Sequence, residues 1–170
     1  MPIIRIEDPE DSRIEAYRDI RERDLVGRRG LFVAEGKVVL AMLLKSRGHT
    51  AESALVLEER LEGLRDVLAL APGLTVYVAA RDVMDRIAGF PIHRGILAIG
   101  RRVAAPEPAA LLAGLPRNAL ILALAGIANH DNIGALFRNT AAFGADAVLM
   151  DGTCCDPLYR KAIRVSVSAT

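Results

Sequence analysis

The densest run of side chains able to do chemistry is Asn129-His130-Asp131-Asn132-Ile133-Gly134-Ala135-Leu136-Phe137-Arg138-Asn139. Carboxamides, an imidazole, a carboxylate and a guanidinium stand together there. Arginine suits phosphate and carboxylate recognition because its planar fork offers paired donors. Asp131 or Asn132 is expected to cap the helix beginning there, leaving free N–H groups and a positive dipole end for an anion. Asn132 and Arg138 are six residues apart, about 9 Å along a helix axis and about 240° in azimuth. Arg138 therefore shares a crevice with Asn132 only if its long side chain reaches round. Simple capping plus a surface salt bridge explains the same residues without chemistry.

A second cluster, Asp156-Pro157-Leu158-Tyr159-Arg160-Lys161-Ala162-Ile163-Arg164-Val165-Ser166, places three cations on one expected helix. Such a row suits a phosphate backbone, and a solvated helix face accounts for it nearly as well. Further basic groups occur at Arg18, Arg21 and Arg23, at Arg28 and Arg29, and at Arg101 and Arg102. The 22 basic residues include only three lysines (Lys37, Lys45, Lys161), and the formal net charge is +1. Net charge alone thus argues neither for nor against a nucleic acid partner. Cys154 and Cys155 are adjacent, which fits no metal-ligand spacing and no Cys-x-x-Cys motif. They read as reduced thiols, and no metal site is expected from His49, His93 and His130 at their scattered positions.

These groups need a scaffold to position them. A chain of 170 residues, 52% hydrophobic, makes one ordinary domain or two small ones. No apolar run reaches the roughly 18–20 residues needed to span a bilayer, and the N-terminus lacks the order of a secretory signal. A protein of the cytoplasm is expected. Helices are expected over Ser12–Leu25 with Ser12 as N-cap, Lys37–Arg47, Glu58–Leu70 and Arg81–Ile87. Strands are expected at Leu31–Ala34, Ala54–Leu57, Thr75–Val78 and Gly95–Ile99. This alternation predicts an α/β domain over residues 1–101. Residues 102–117, with Pro106, Pro108 and Pro116, read as a linker holding at most a short helix near Ala109–Leu112. In residues 118–170, Ala119–Ala125 is continuously apolar, as a parallel strand buried on both faces would be. A helix from about Asn132 to Phe143 and a strand at Ala147–Met150 complete a β-α-β unit, with a right-handed crossover expected. A last helix is expected over Pro157–Ala169. The polar cluster then lies just past the C-terminal end of a strand, where open α/β sheets place their ligand crevices.

Asn132-Ile-Gly-Ala-Leu-Phe-Arg138, followed by Ala141, Phe143 and Gly144, resembles the first signature motif of the SpoU (TrmH) RNA methyltransferases. Lys161-Ala-Ile-Arg-Val-Ser166 resembles the next block of that family. Phe32-Val-Ala-Glu35-Gly36-Lys37 and His93-Arg-Gly95-Ile-Leu-Ala98 resemble the substrate-binding domain that precedes many of these enzymes. The resemblance implies a small α/β RNA-binding domain followed by a SPOUT-type α/β methyltransferase domain, whose knotted C-terminal part is expected beyond this chain. It also implies transfer of a methyl group from S-adenosylmethionine to a ribose 2′-hydroxyl of rRNA or tRNA, by an enzyme that is a homodimer at full length. Arg138 matches the family's catalytic arginine and Asn132 its active-site partner. Arg28, Arg29, Lys161 and Arg164 are the residues expected to contact RNA. The S-adenosylmethionine site is expected C-terminal to Thr170, and no cofactor-binding residue is assigned within the chain. The competing reading is a non-catalytic RNA-binding module. A phosphate-binding α/β protein of another kind would need a glycine-rich loop after a strand, and Gly126 stands alone there.

Overall fold

The computed structural model describes residues 1–18, 20, 25, 29–46 and 48–166. Two compact units divide the chain, Met1–Arg102 and Val103–Thr170.

The first unit is built on a five-stranded sheet in the order β1-β4-β3-β5-β2. Its strands are β1 (Ile3–Ile6), β2 (Leu31–Glu35), β3 (His49–Leu57), β4 (Thr75–Ala79) and β5 (Ile96–Arg102). β1, β4 and β3 run parallel, whereas β5 is antiparallel to both β3 and β2. Strand periodicity sorts the side chains. Leu31, Val33, Leu55, Leu57, Leu97 and Ile99 point to one face, joined there by Ile14, Tyr17, Met84 and Ile87. Phe32 and Ala34 alternate to the other face, and α1 (Lys37–Lys45) packs over β2, β3 and β5. Buried Tyr17 hydrogen-bonds to Ser53 Oγ at 2.8 Å, which satisfies its hydroxyl inside the core. Gly100 leaves room for the Phe32 ring, since a Cβ there would stand 2.3 Å from Phe32 Cζ.

The structure corrects several expectations in this unit. Of the helix expected over Ser12–Leu25, the start is a 3-10 segment, Ser12–Tyr17, while residues 19 and 21–24 lie outside the described residues; Asp11 rather than Ser12 is the cap, accepting from Arg13 N at 2.9 Å. The helix expected over Glu58–Leu70 is three short turns: α2 (Glu58–Leu61), a 3-10 turn (Glu62–Leu64) and α3 (Arg65–Leu68). Gly63 sits at the break and weakens a continuous helix. Strand β1 is an addition to the expected elements; its four residues are ordered by parallel pairing with β4, Ile3 opposite Val76. α4 (Arg81–Ala88) ends at Gly89 in the left-handed conformation, φ 79°.

The second unit holds α5 (Pro108–Ala113), β6 (Ile121–Leu124), α6 (His130–Ala142), β7 (Ala147–Met150) and α7 (Arg160–Ser166). β6 and β7 pair in parallel, Ile121 opposite Ala147 and Leu124 opposite Met150. β6 is not buried on both faces as its apolar run suggests: Ile121 is 37% exposed and only Leu124 is fully covered. Its small core gathers Leu124, Ile133 and Ala162. α6 lies close against α7 because residue 134 is glycine. A Cβ there would stand 2.6 Å from the Ala162 carbonyl oxygen and 2.8 Å from Val165 Cβ. The described part of α7 is shorter than the Pro157–Ala169 expected, starting only at Arg160. No described helix is long and apolar enough to cross a membrane.

Candidate functional site

At the C-terminal ends of β6 and β7, two loops are tied to each other before either reaches its helix. Cys155 N donates to the Ile127 carbonyl at 2.8 Å, and Gly126 N donates to Asp151 Oδ1 at 3.3 Å. The same oxygen accepts from Thr153 Oγ1 at 2.8 Å and from the backbone N–H groups of Thr153 and Cys154, each at 3.0 Å. An aspartate followed by Gly152 and Thr153 folds back on its own backbone in this way. The Thr153 hydroxyl, and after it the Gly126 N–H, hold the Asp151 carboxyl down at about 2. Gly126 itself turns the first loop with φ 69°.

α6 leaves this web of hydrogen bonds with a different cap from the one expected. Neither Asp131 nor Asn132 is the N-cap; Asn129 is, its side-chain oxygen accepting from Asp131 N at 2.9 Å and Asn132 N at 3.1 Å. The capping run offers several competent residues, and tertiary partners decide between them. The His130 ring meets the Tyr159 ring edge-on at 4.5 Å, and Asp131 pairs with Lys161 Nζ at 2.6 Å. Both contacts fasten the start of α6 to the start of α7. At half-exposed side chains, the ion pair orients more than it stabilises.

The expected site residues are spread over both units. Asn132 is exposed in the first turn of α6 and Arg138 is exposed two turns further along it. No side-chain hydrogen bond or ion pair joins either to a described residue, and the helix does not stack one above the other. Lys161 is taken up by Asp131, so it braces the site as well as charging it. Arg164, one turn on, is exposed. Arg29 belongs to the first unit, where it faces Glu15 at 3.5 Å. Arg28 lies outside the described residues. The sequence alone does not single out Asn129, Tyr159 or Asp151 as the groups that shape this edge, although the Asp-Gly-Thr turn signal is present in it. Cys154 and Cys155 are free and half-buried, and burial pushes the Cys155 thiol up, away from thiolate chemistry. Among the described residues no group of three or more His, Cys, Asp or Glu side chains is placed to hold a metal ion.

Comparison with known proteins narrows what such an edge does. The profile of the SpoU rRNA Methylase family matches residues 119–170. An uncharacterized tRNA/rRNA methyltransferase of Mycobacterium bovis is 41% identical over 164 residues, covering 94% of this chain and 55% of its own. The 23S rRNA (guanosine-2'-O-)-methyltransferase RlmB of Acinetobacter baylyi is 35% identical over 122 residues, 60% of this chain and 48% of that protein. The chain thus spans about half the length of these relatives. Among solved structures, an rRNA methyltransferase from Sinorhizobium meliloti shares the fold with a TM-score of 0.78 at 17% identity, over 99% of this chain and 62% of that one. The SpoU methyltransferase AviRb from Streptomyces viridochromogenes, solved with AdoMet, gives a TM-score of 0.73 at 19% identity, over 94% of this chain and 58% of that one. The Asn132–Arg138 helix sits inside the matched segment, and it is this segment, residues 119–170, that matches the SpoU rRNA Methylase family.

Proposed function

We propose that the protein carrying this chain methylates RNA, moving a methyl group from S-adenosylmethionine to a ribose 2′-hydroxyl of rRNA or tRNA. The observation that carries the reading is the exposed Arg138 on α6, bonded to no described side chain and lying within the segment matched to SpoU methylases. A guanidinium holds its proton and is a poor proton acceptor. Its work is to grip the ribose and the neighbouring phosphate through paired N–H donors, and to stabilise charge developing on the 2′-oxygen. Asn132, at the start of the same helix, donates to the RNA or orients it, with the N-terminal end of α6 adding positive potential. Arg164, exposed on α7, together with Arg28 and Arg29 in the first unit, supplies the sequence-independent hold on the backbone.

S-adenosylmethionine, when bound, supplies an electrophilic methyl group. No residue of this edge is assigned to hold it. Both carboxylates near the start of α6, Asp131 and Asp151, are engaged, one by Lys161 and the other by its own loop.

Replacing Arg138 with Ala in a protein of the relatives' length is expected to lower methyl transfer to RNA by about 10²–10³-fold, with the fold unchanged by circular dichroism. Undiminished transfer would remove Arg138 from the site and with it the assignment.

A further inference from the structure

The loop that follows β7 carries two adjacent thiols. Cys154 and Cys155 are free and half-buried, and both pack against the cluster of Leu124, Ile133 and Ala162. Neighbouring residues of an extended chain turn their side chains to opposite sides. Two thiols on one core therefore require a bent chain, and residue 154 stands at a bend. The Asp151 carboxylate makes that bend, accepting from Thr153 N and Cys154 N at 3.0 Å each. The two sulfurs are thereby turned to the same side.

The same pair joins the two loops. Cys154 Sγ accepts from Ile127 N at 3.4 Å and donates to the Leu124 carbonyl at 3.5 Å, while Cys155 N donates to the Ile127 carbonyl at 2.8 Å. Both peptide groups of Ile127 are thus held from the second loop, two residues before the Asn129 cap of α6. Sulfur suits this place. A hydroxyl oxygen, bonding at about 2.7–3.0 Å, is too short to serve both ends at this spacing.

Two soft donors on one side restrict what the pair can take. Adjacent Cα atoms stand about 3.8 Å apart, short of the roughly 4.4–6.8 Å of ordinary disulfides, so a direct S–S bond is strained. A structural metal takes about four ligands. Among the described residues no group of three or more His, Cys, Asp or Glu is placed to supply them. A trivalent centre that needs only two sulfurs, and stands between them, meets neither obstacle.

We propose that Cys154 and Cys155 form a dithiol site that captures a trivalent organoarsenical, and that capture unfastens the loop before α6. The As=O bond and two S–H bonds break, two As–S bonds form, and the oxygen leaves as water with both protons. Arsenic stays trivalent, so no oxidant or reductant is needed. The reaction starts from neutral thiols, which is the state that burial favours at Cys155. Once bonded to arsenic, Cys154 has no S–H to give Leu124, and its sulfur is a poorer acceptor for Ile127 N.

The reduced 170-residue chain is mixed with phenylarsine oxide and followed by intact mass. The chain should take up about one equivalent, less one water, as a paired soft site does. The adduct should survive excess 2-mercaptoethanol, be stripped by 2,3-dimercaptopropanol, and leave both cysteines closed to iodoacetamide. Cys154→Ser and Cys155→Ser should each lose the monothiol-resistant adduct. Amide exchange at Ile127 in the filled chain should quicken at least about tenfold, as loss of one buried hydrogen bond implies. No adduct, an adduct removed by 2-mercaptoethanol, or one retained by either serine variant would overturn the site. The iodoacetamide result on the unaltered chain decides the matter should a serine variant fail to fold. Unchanged exchange at Ile127 would overturn the unfastening. None of these readouts requires methyl transfer.

Discussion

The described residues of the two units cover their sheets to different extents. In the first, β3 and β5 lie inside a five-stranded sheet with helices on both faces, and Leu55, Val56, Leu97 and Ala98 have no exposed surface. In the second, the described residues leave Leu120 53% and Ile121 37% exposed, and Phe143 80%. Stability in the first comes from apolar area removed from water. In the second, order at the candidate site comes from short-range devices: the Asn129 cap, the Asp151 turn, the close approach at Gly134 and the Asp131–Lys161 pair.

The sharpest way to break this contrast is truncation of matched core side chains. Leu97→Ala should cost about 3 kcal/mol, whereas Ile121→Ala should cost less than about 1 kcal/mol. Denaturant unfolding, with amide exchange to separate the units, reads both. Equal costs would mean that the second unit is as well covered as the first. A smaller effect is expected at Gly134→Ala. Alanine favours a helix by about 1 kcal/mol over glycine, yet overpacking costs about 1–3 kcal/mol. Because the obstructing atoms include backbone of α7, net destabilisation of about 1 kcal/mol is expected; a stabilised variant would show that the two helices part freely. The smallest effect concerns acid. Asp151 sits at about 2 in the fold against roughly 3.9 unfolded. Its contribution is complete above the unfolded value and is lost as pH falls from about 4 to about 2. Protection factors for amide exchange at Gly126, Thr153 and Cys154, corrected for the intrinsic rate at each pH, should fall across that window, and Asp151→Asn should remove that fall. Exchange indifferent to both would mean that other contacts hold the loops.

Legibility in the sequence follows locality. β7 at Ala147–Met150 and the start of β2 at Leu31 are readable because glycine or polar residues bound short apolar runs. β1 is not, since Ile3–Ile6 is a strand only through partners some seventy residues away. The continuous apolar run around β6 signals burial on two faces, but apolar composition alone does not reveal how much protein is present to cover it. The Asn132–Arg138 spacing is legible by resemblance, and both residues lie on α6 as expected. The cap is ambiguous in sequence because Asn129, Asp131 and Asn132 are all competent, and the choice rests on Tyr159 and Lys161 far along the chain.

That order, β1-β4-β3-β5-β2, also sets a timetable. The strand made last, Ile96–Arg102, is the one that lies between β3 and β2 and bonds to both. While the chain is being synthesised, β2 has no neighbour and β3 has an open flank until that final stretch emerges. Contacts of such long sequence separation close slowly. A ribosome pausing before residue 96 would hold an unfinished sheet with bare edges, exposed to aggregation or to chaperones. The final strand of the first unit thus acts as its closing clasp.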